Sequence, residues 1–157
     1  WSRERAAEVL SALLPHVDVL ISGREDAEEL FGICGAEEEA ARLLTERFSL
    51  SHVAIPRRSG TSASVNSWSA LLYDGRECLA SRTYTMEMVD RIGSGDSFAA
   101  GLIYGLTAGY DSRKTLEFAA AAACLKHSVE GDFNVATVQE VEELAGTAGD
   151  DAGRVRR

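Results

Sequence analysis

The sequence predicts an α/β layered fold, in which helices cover a mostly parallel sheet that carries an antiparallel hairpin at one edge. Three observations predict it. Short apolar runs rich in β-branched residues, Val17–Ile21 and His52–Ile55, alternate with longer segments of helical periodicity. An Asp74-Gly75 pair sits between two alternating runs, as a hairpin turn does. With 157 residues, 45% of them hydrophobic, the chain has material for one core of its own.

The elements follow in order. From Arg3 to Leu14, the residues Ala6, Val9, Leu10, Leu13 and Leu14 recur at helical spacing, and Pro15 stops the helix. Val17–Ile21 is too short for a helix and reads as a buried parallel strand. Asp26 to Phe31 is a short helix ended by Gly32; Glu37 to Phe48 is a second, with Ala40, Leu43, Leu44 and Phe48 facing inward and an acidic first turn that suits the helix dipole. His52–Ile55 is a strand broken by Pro56. Ser62 to Asp74 and Glu77 to Tyr84 form the hairpin. A helix runs from Ser97 to about Ala108, with Gly109 as its stop, and an Ala-rich helix from Ser112 to His127. Val138 to Leu144 is a final short helix, and the rest, rich in Gly and charge without periodicity, reads as a mobile tail.

Composition excludes several classes. Sixteen Lys and Arg against 25 Asp and Glu give a formal charge of -9, which disfavours broad contact with nucleic acid or anionic lipid. Any anion must be held locally. The longest apolar stretches fall short of the roughly 20 residues of a membrane span. Cys34, Cys78 and Cys124 are scattered and form no CxxC pair, which points to ordinary core thiols in a reducing cytoplasm. The chain opens at Trp1 without Met or a signal pattern, as expected of a piece of something longer.

The segment that carries chemistry is Val89-Asp90-Arg91-Ile92-Gly93-Ser94-Gly95-Asp96-Ser97-Phe98, where a strand-like run meets two glycines and then a long helix. Gly93 and Gly95 let the backbone approach a ligand. The first N–H groups of the following helix lack internal partners, so together they make a pocket for a phosphate. Asp96 at its edge is placed to accept a proton from an attacking hydroxyl. An Asp before a helix also serves as a plain cap, and from the pattern alone both readings stand. There is no GxxxxGK[ST], and Phe98 stands where a dinucleotide fingerprint needs its third glycine.

Asp90 to Asp96 resembles the D-[TR]-x-G-[AGS]-G-D signature of the ribokinase, or PfkB, family of carbohydrate kinases. Asn66-Ser67-Trp68-Ser69-Ala70-Leu71-Leu72-Tyr73-Asp74-Gly75, Ser97-Phe98-Ala99-Ala100-Gly101-Leu102-Ile103-Tyr104-Gly105 and Gly131-Asp132-Phe133-Asn134 look like the 2-dehydro-3-deoxygluconate kinases within it. The resemblance spans the whole chain and corresponds to the C-terminal half of such a kinase. It implies a ribokinase-like three-layer fold, with residues 1–146 as the C-terminal part of the kinase domain, 147–157 as tail, and the N-terminal half and lid absent. It also implies a cytoplasmic, ATP- and Mg²⁺-dependent kinase that phosphorylates 2-dehydro-3-deoxy-D-gluconate at its 6-hydroxyl, with K⁺ as a further cofactor in some members. A homo-oligomer is compatible with this, and neither nucleic acid nor membrane is expected as a partner. Another sugar kinase of ribokinase or fructokinase type, or a non-catalytic remnant, stays open as an alternative. The chain alone is expected to be inactive, because most sugar contacts belong to the missing half.

By position, the resemblance makes Asp96 the base and the N–H groups of Gly93, Ser94, Gly95 and Asp96 the anion hole. It assigns Arg58 and Gly60 to the nucleotide-side loop, and Ala120, Ala123 and Asn134 to the neighbourhood of the adenine. Asp90 and the Ile92 carbonyl match a monovalent-cation position, with the loop near Gly131 and Asp132 opposite. For Asp90 a strand-end turn acid, for Arg58 a solvated charge and for the alanines a packing face remain open. Where relatives carry Asn followed by acids near Mg²⁺, this chain reads Ser22-Gly23-Arg24-Glu25-Asp26. Glu25 and Asp26 are therefore expected to reach Mg²⁺ through water, with Arg24 as a competitor.

Overall fold

The computed structural model describes residues 1–60, 65–146 and 154–155. They fall into two compact units, Trp1–Pro56 with Leu71–Leu79, and Arg57–Ala70 with Ala80–Arg157. The architecture is the predicted mixed α/β one, with both parallel and antiparallel strand pairings in its sheet.

In the first unit, helix α1 (Arg3–Leu13) ends in a short 3-10 turn, Leu14–His16, that holds Pro15. Strand β1 (Val19–Ile21) follows, then helices α2 (Arg24–Phe31) and α3 (Glu37–Phe48) and strand β2 (His52–Gly60). Residues Val19, Leu20 and Ile21 run parallel to His52, Val53 and Ala54. The core gathers Leu14, Ala40, Leu44, Phe48, Val53 and Ile55, so the inward face of α3 is the one its periodicity marks. Gly32 takes φ 67° to end α2, a left-handed conformation that glycine tolerates at little cost.

One expectation fails here. β2 is not broken at Pro56 but runs on to Gly60. The β1 ladder reaches only to Ala54, whose carbonyl accepts the Ser22 N–H at 3.1 Å, so the missing Pro56 N–H lies beyond it. α1 has the helical spacing its sequence shows but buries none of its residues, leaving Leu13 55% exposed, because periodicity tells which face is apolar and not whether anything covers it.

Strand β3 (Val65–Tyr73) lies in the second unit as far as Ala70, and its residues Val65–Trp68 pair antiparallel with β5 (Tyr84–Glu87), Trp68 opposite Tyr84. The predicted return strand is interrupted. Its first part, β4 (Cys78–Ala80), also pairs β3, and around Ser81 the hydroxyl takes over a ladder bond by accepting the Ala70 N–H at 2.9 Å. The predicted strand start at Ser62 and most of the predicted tail 147–157 lie outside the described residues; Arg154–Val155 (β6) runs parallel to Thr85–Met86.

Helices α4 (Ser94–Thr107), α5 (Ser112–Lys126) and α6 (Val138–Gly146) complete this unit. α4 and α5 pack closely because glycines of one face small residues of the other. A Cβ on Gly101 would lie 2.8 Å from the Ala119 Cα, and one on Gly105 2.8 Å from the Thr115 hydroxyl. Beneath them Trp68 and Phe98 are buried with ring centroids 6.1 Å apart. Among the described residues no helix is long and apolar enough to cross a membrane. The three cysteines are free thiols, and burial pushes that of Cys124 up to about 12.

Candidate active site

The helix that carries Asp96 starts one turn earlier than its sequence pattern suggests, at Ser94. Its cap is Gly93, at φ 77°, with no side-chain capping bond. Asp96 is therefore the third residue of the helix and not its cap, so the capping reading of this residue falls. Its carboxylate is exposed and makes no hydrogen bond or ion pair with the described residues. A carboxylate in the first turn is favoured by the helix dipole, which offsets the cost of holding it beside an anion site.

The amides divide unequally. The Ser94 N–H points to the Arg91 carbonyl at a long 3.5 Å, whereas those of Gly95 and Asp96 have no main-chain acceptor among the described residues. The Ser94 hydroxyl is fully employed, donating to the Arg91 carbonyl at 3.0 Å and accepting from Arg58 at 3.3 Å. Two open donors at a helix start thus lie next to a free carboxylate, and such donors suit an anion.

This helix start borders a cleft of roughly 450 Å³, whose lining includes Gly93, Asp96, Tyr104, Phe118, Ala122 and Asn134. Its walls are largely apolar and a few polar groups converge at one end, the usual make-up of a small-molecule site. Asn134 lies in that lining. Its Nδ2 donates to the Ala122 carbonyl at 3.2 Å and its Oδ1 accepts from the Ala136 N–H at 2.9 Å, which fixes the wall of the cleft.

Other expected residues lie elsewhere. Ala120 and Ala123 are fully buried and do not line the cleft; Ala122 does, because it shares a face of α5 with Phe118, four residues earlier. Arg58 lies beside the anion pocket and not in this cleft. Its guanidinium stacks 4.6 Å from the centre of Trp68 and comes within 3.5 Å of where a Gly95 side chain would begin. It is therefore no simple solvated charge, and burial and then the neighbouring Arg91 charge lower its pKa. Gly60 ends β2.

Asp90 ties two loops together. Its Oδ1 accepts from the Ile92 N–H at 3.0 Å and its Oδ2 from the Gly131 N–H at 2.9 Å, and these bonds, in that order, hold its carboxyl below the usual range. The Ile92 side chain is exposed. Glu25 and Asp26 belong to the first unit. Asp26 accepts the Gly23 N–H at 3.2 Å as a helix cap, and Arg24 is paired with Glu28 at 3.3 Å. Among the described residues no three His, Cys, Asp or Glu side chains gather around a metal position.

Two residues at the site carried no sequence signal by themselves. Lys126 is completely buried, although it reads as a basic helix end, and Ala122 looks like any other alanine of its run. Their spacing was the available clue, since Phe118, Ala122 and Lys126 follow one another at four-residue intervals on one face of α5.

A family model described as pfkB family carbohydrate kinase matches residues 1–147. The chain belongs to that family. A 2-dehydro-3-deoxygalactonokinase of Haloferax volcanii is 31% identical over 98% of this chain and 45% of its own length. Among solved structures, a 2-dehydro-3-deoxygluconokinase from Thermotoga maritima superposes with a TM-score of 0.86 at 42% identity, covering 94% of this chain and 46% of that one. A PfkB family carbohydrate kinase from Listeria grayi gives a TM-score of 0.88 at 30% identity, over 94% and 47%. The fold is thus the ribokinase-like one of these kinases, and the chain spans a little under half the length of each of them.

Proposed function

We propose that the complete protein transfers the γ-phosphoryl group of ATP to the 6-hydroxyl of 2-dehydro-3-deoxy-D-gluconate, and that this chain supplies the nucleotide and phosphoryl-transfer half. The observation that carries this reading is the partnerless Asp96 carboxylate at the third position of α4, beside the open Gly95 and Asp96 amides and at the end of the cleft walled by Asn134. The cleft takes the base, and the helix start takes the terminal phosphate.

In the transfer step the sugar-acid hydroxyl oxygen attacks the γ-phosphorus while its proton passes to the Asp96 carboxylate. The bond from that phosphorus to the β-bridging oxygen breaks, and its electrons leave with ADP. Charge that builds on the phosphoryl oxygens meets the Gly95 and Asp96 N–H groups, which are oriented before the reaction begins. Mg²⁺ on a nucleotide needs few protein ligands and keeps several waters. Asp96, free of other bonds, fits a water-bridged contact to it; Asp26, committed to the Gly23 N–H, fits less well.

The choice of a sugar acid rests on the similarity to the two dehydro-deoxy sugar acid kinases named above. A panel of ribose, fructose, 2-dehydro-3-deoxygluconate and 2-dehydro-3-deoxygalactonate, offered to the complete protein with Mg²⁺ and ATP, tests it. The reading expects turnover on the sugar acids at least tenfold above that on the neutral sugars. Preference for ribose or fructose would assign it to another branch of the family, and no turnover on any of them would remove the kinase reading.

A further inference from the structure

Lys126 has no exposed surface at all, at the end of a helix whose preceding residues are apolar. Burying an ammonium is costly unless polar groups surround it, so a lysine kept in such a place calls for a reason. Its Nζ donates to the Val129 carbonyl at 2.9 Å, the one hydrogen bond it makes to the described residues. Its stem passes directly under the anion pocket, where a Cβ on Gly93 would stand 3.2 Å from the Lys126 Cε. Asp90, which bridges the two loops by accepting from Ile92 and Gly131, feels the Lys126 charge as well as those two amides.

These residues do not fit a bound monovalent cation. Both Asp90 oxygens already accept N–H bonds, the Val129 carbonyl is taken, and a second positive charge would have to enter beside a buried ammonium. The Lys126 charge already acts on the Asp90 carboxylate, one of the groups to which the family resemblance assigns K⁺.

We propose that the Lys126 ammonium acts as a built-in monovalent cation, holding the 88–93 and 127–132 segments together beneath the anion pocket, so that nucleotide binding and phosphoryl transfer need no K⁺. Lys126 is a positioning residue in this scheme, acting through Asp90 and Gly93. The proposal rests on the nucleotide reading of the cleft, but not on which sugar is phosphorylated.

The test measures the affinity of the complete protein for a non-hydrolysable ATP analogue by calorimetry, with Mg²⁺ present and either K⁺ or tetramethylammonium as the bulk cation at equal ionic strength. Wild type is expected to bind equally, within twofold, in both; a tenfold or greater loss without K⁺ overturns the proposal. Lys126→Ala removes the ammonium and leaves a space of its size. That variant is expected to bind at least tenfold more weakly in tetramethylammonium and to recover in part with K⁺ or NH₄⁺, a rescue that a merely structural lysine would not show. Lys126→Ala binding that is weak and indifferent to the cation, or equal to wild type, overturns it. If the variant does not fold, the wild-type comparison decides alone. Cation-indifferent nucleotide binding without any sugar phosphorylation would leave this inference standing and remove the substrate assignment; no binding in either salt removes both.

Discussion

Gly93 and Asp132 meet so closely that a Cβ at position 93 would collide with the Asp132 carbonyl oxygen. This contact brings the loop before α4 against the loop after α5, and the anion pocket is formed on top of it. Gly93 also takes φ 77°, a conformation that costs other residues roughly 1–3 kcal/mol. Gly93→Ala is therefore expected to shift the start of α4 and to lower kcat/KM for ATP by at least about a hundredfold, of which the strain alone accounts for roughly 5- to 150-fold. Steady-state kinetics of the complete protein check this, with circular dichroism to show that the helices persist. Activity within threefold of wild type would mean that the pocket is not built on this contact.

Asp96 offers a cleaner separation of chemistry from folding. Since its carboxylate has no bond to the described residues, Asp96→Asn leaves packing intact and removes the proton acceptor together with a dipole interaction of about 0.3–1 kcal/mol. The expected result is a fall in kcat of about 10²–10⁴-fold, the usual range for a general base, with a melting temperature lowered by no more than a few degrees and ATP affinity within a few-fold. A melting temperature that drops while kcat holds would return Asp96 to a structural role.

How far the sequence reaches is clear from particular residues. Glu37–Phe48 is predicted to the residue because acidic first turn and apolar stripe agree locally. The glycine-led start of α4 is also legible, although one turn late, since two glycines and an Asp before an apolar helix are a local pattern. Pro56 misleads because whether a strand tolerates proline depends on where its neighbour strand ends, which is not written at Pro56. Ala120 and Ala123 mislead for a related reason: in a helix buried nearly all round, amphipathic contrast vanishes, and only the neighbours in space tell which alanine meets a cleft. Lys126 is the extreme case, a charge whose burial depends on loops distant in sequence.

The proposed nucleotide role of the cleft can be tested at Asn134. Its two bonds, to the Ala122 carbonyl and from the Ala136 N–H, hold the 132–136 segment against α5. Each is worth about 1 kcal/mol net. Asn134→Ala is expected to raise the KM for ATP by about 5- to 30-fold with little change in kcat, because the residue shapes the cleft and does not touch the transferred group. Equal falls in kcat and kcat/KM would instead place it at the reacting end.

His127 supplies a pH dependence of known sign. Its Nδ1 lies 2.7 Å from the Ala123 carbonyl, which can only accept, so Nδ1 carries the proton and Nε2 is bare. Burial lowers its pKa from the ordinary 6.5; the Ala123 bond opposes this, and the Arg58, Lys126 and Arg91 charges add to the lowering. A folded value below the unfolded one means that the unfolded chain binds the proton first. Stability from this group is then complete above about pH 6.5 and is lost as pH falls through the lower folded value. Thermal melts of the complete protein between pH 7.5 and 5 (roughly one pH unit either side of a free histidine) are expected to show a falling melting temperature below about 6.5. His127→Asn, whose amide nitrogen falls at the Nδ1 position and keeps a donor for Ala123 but cannot take up a proton, should flatten that fall. If wild type and His127→Asn lose stability in parallel over this range, the imidazole is not the group that titrates.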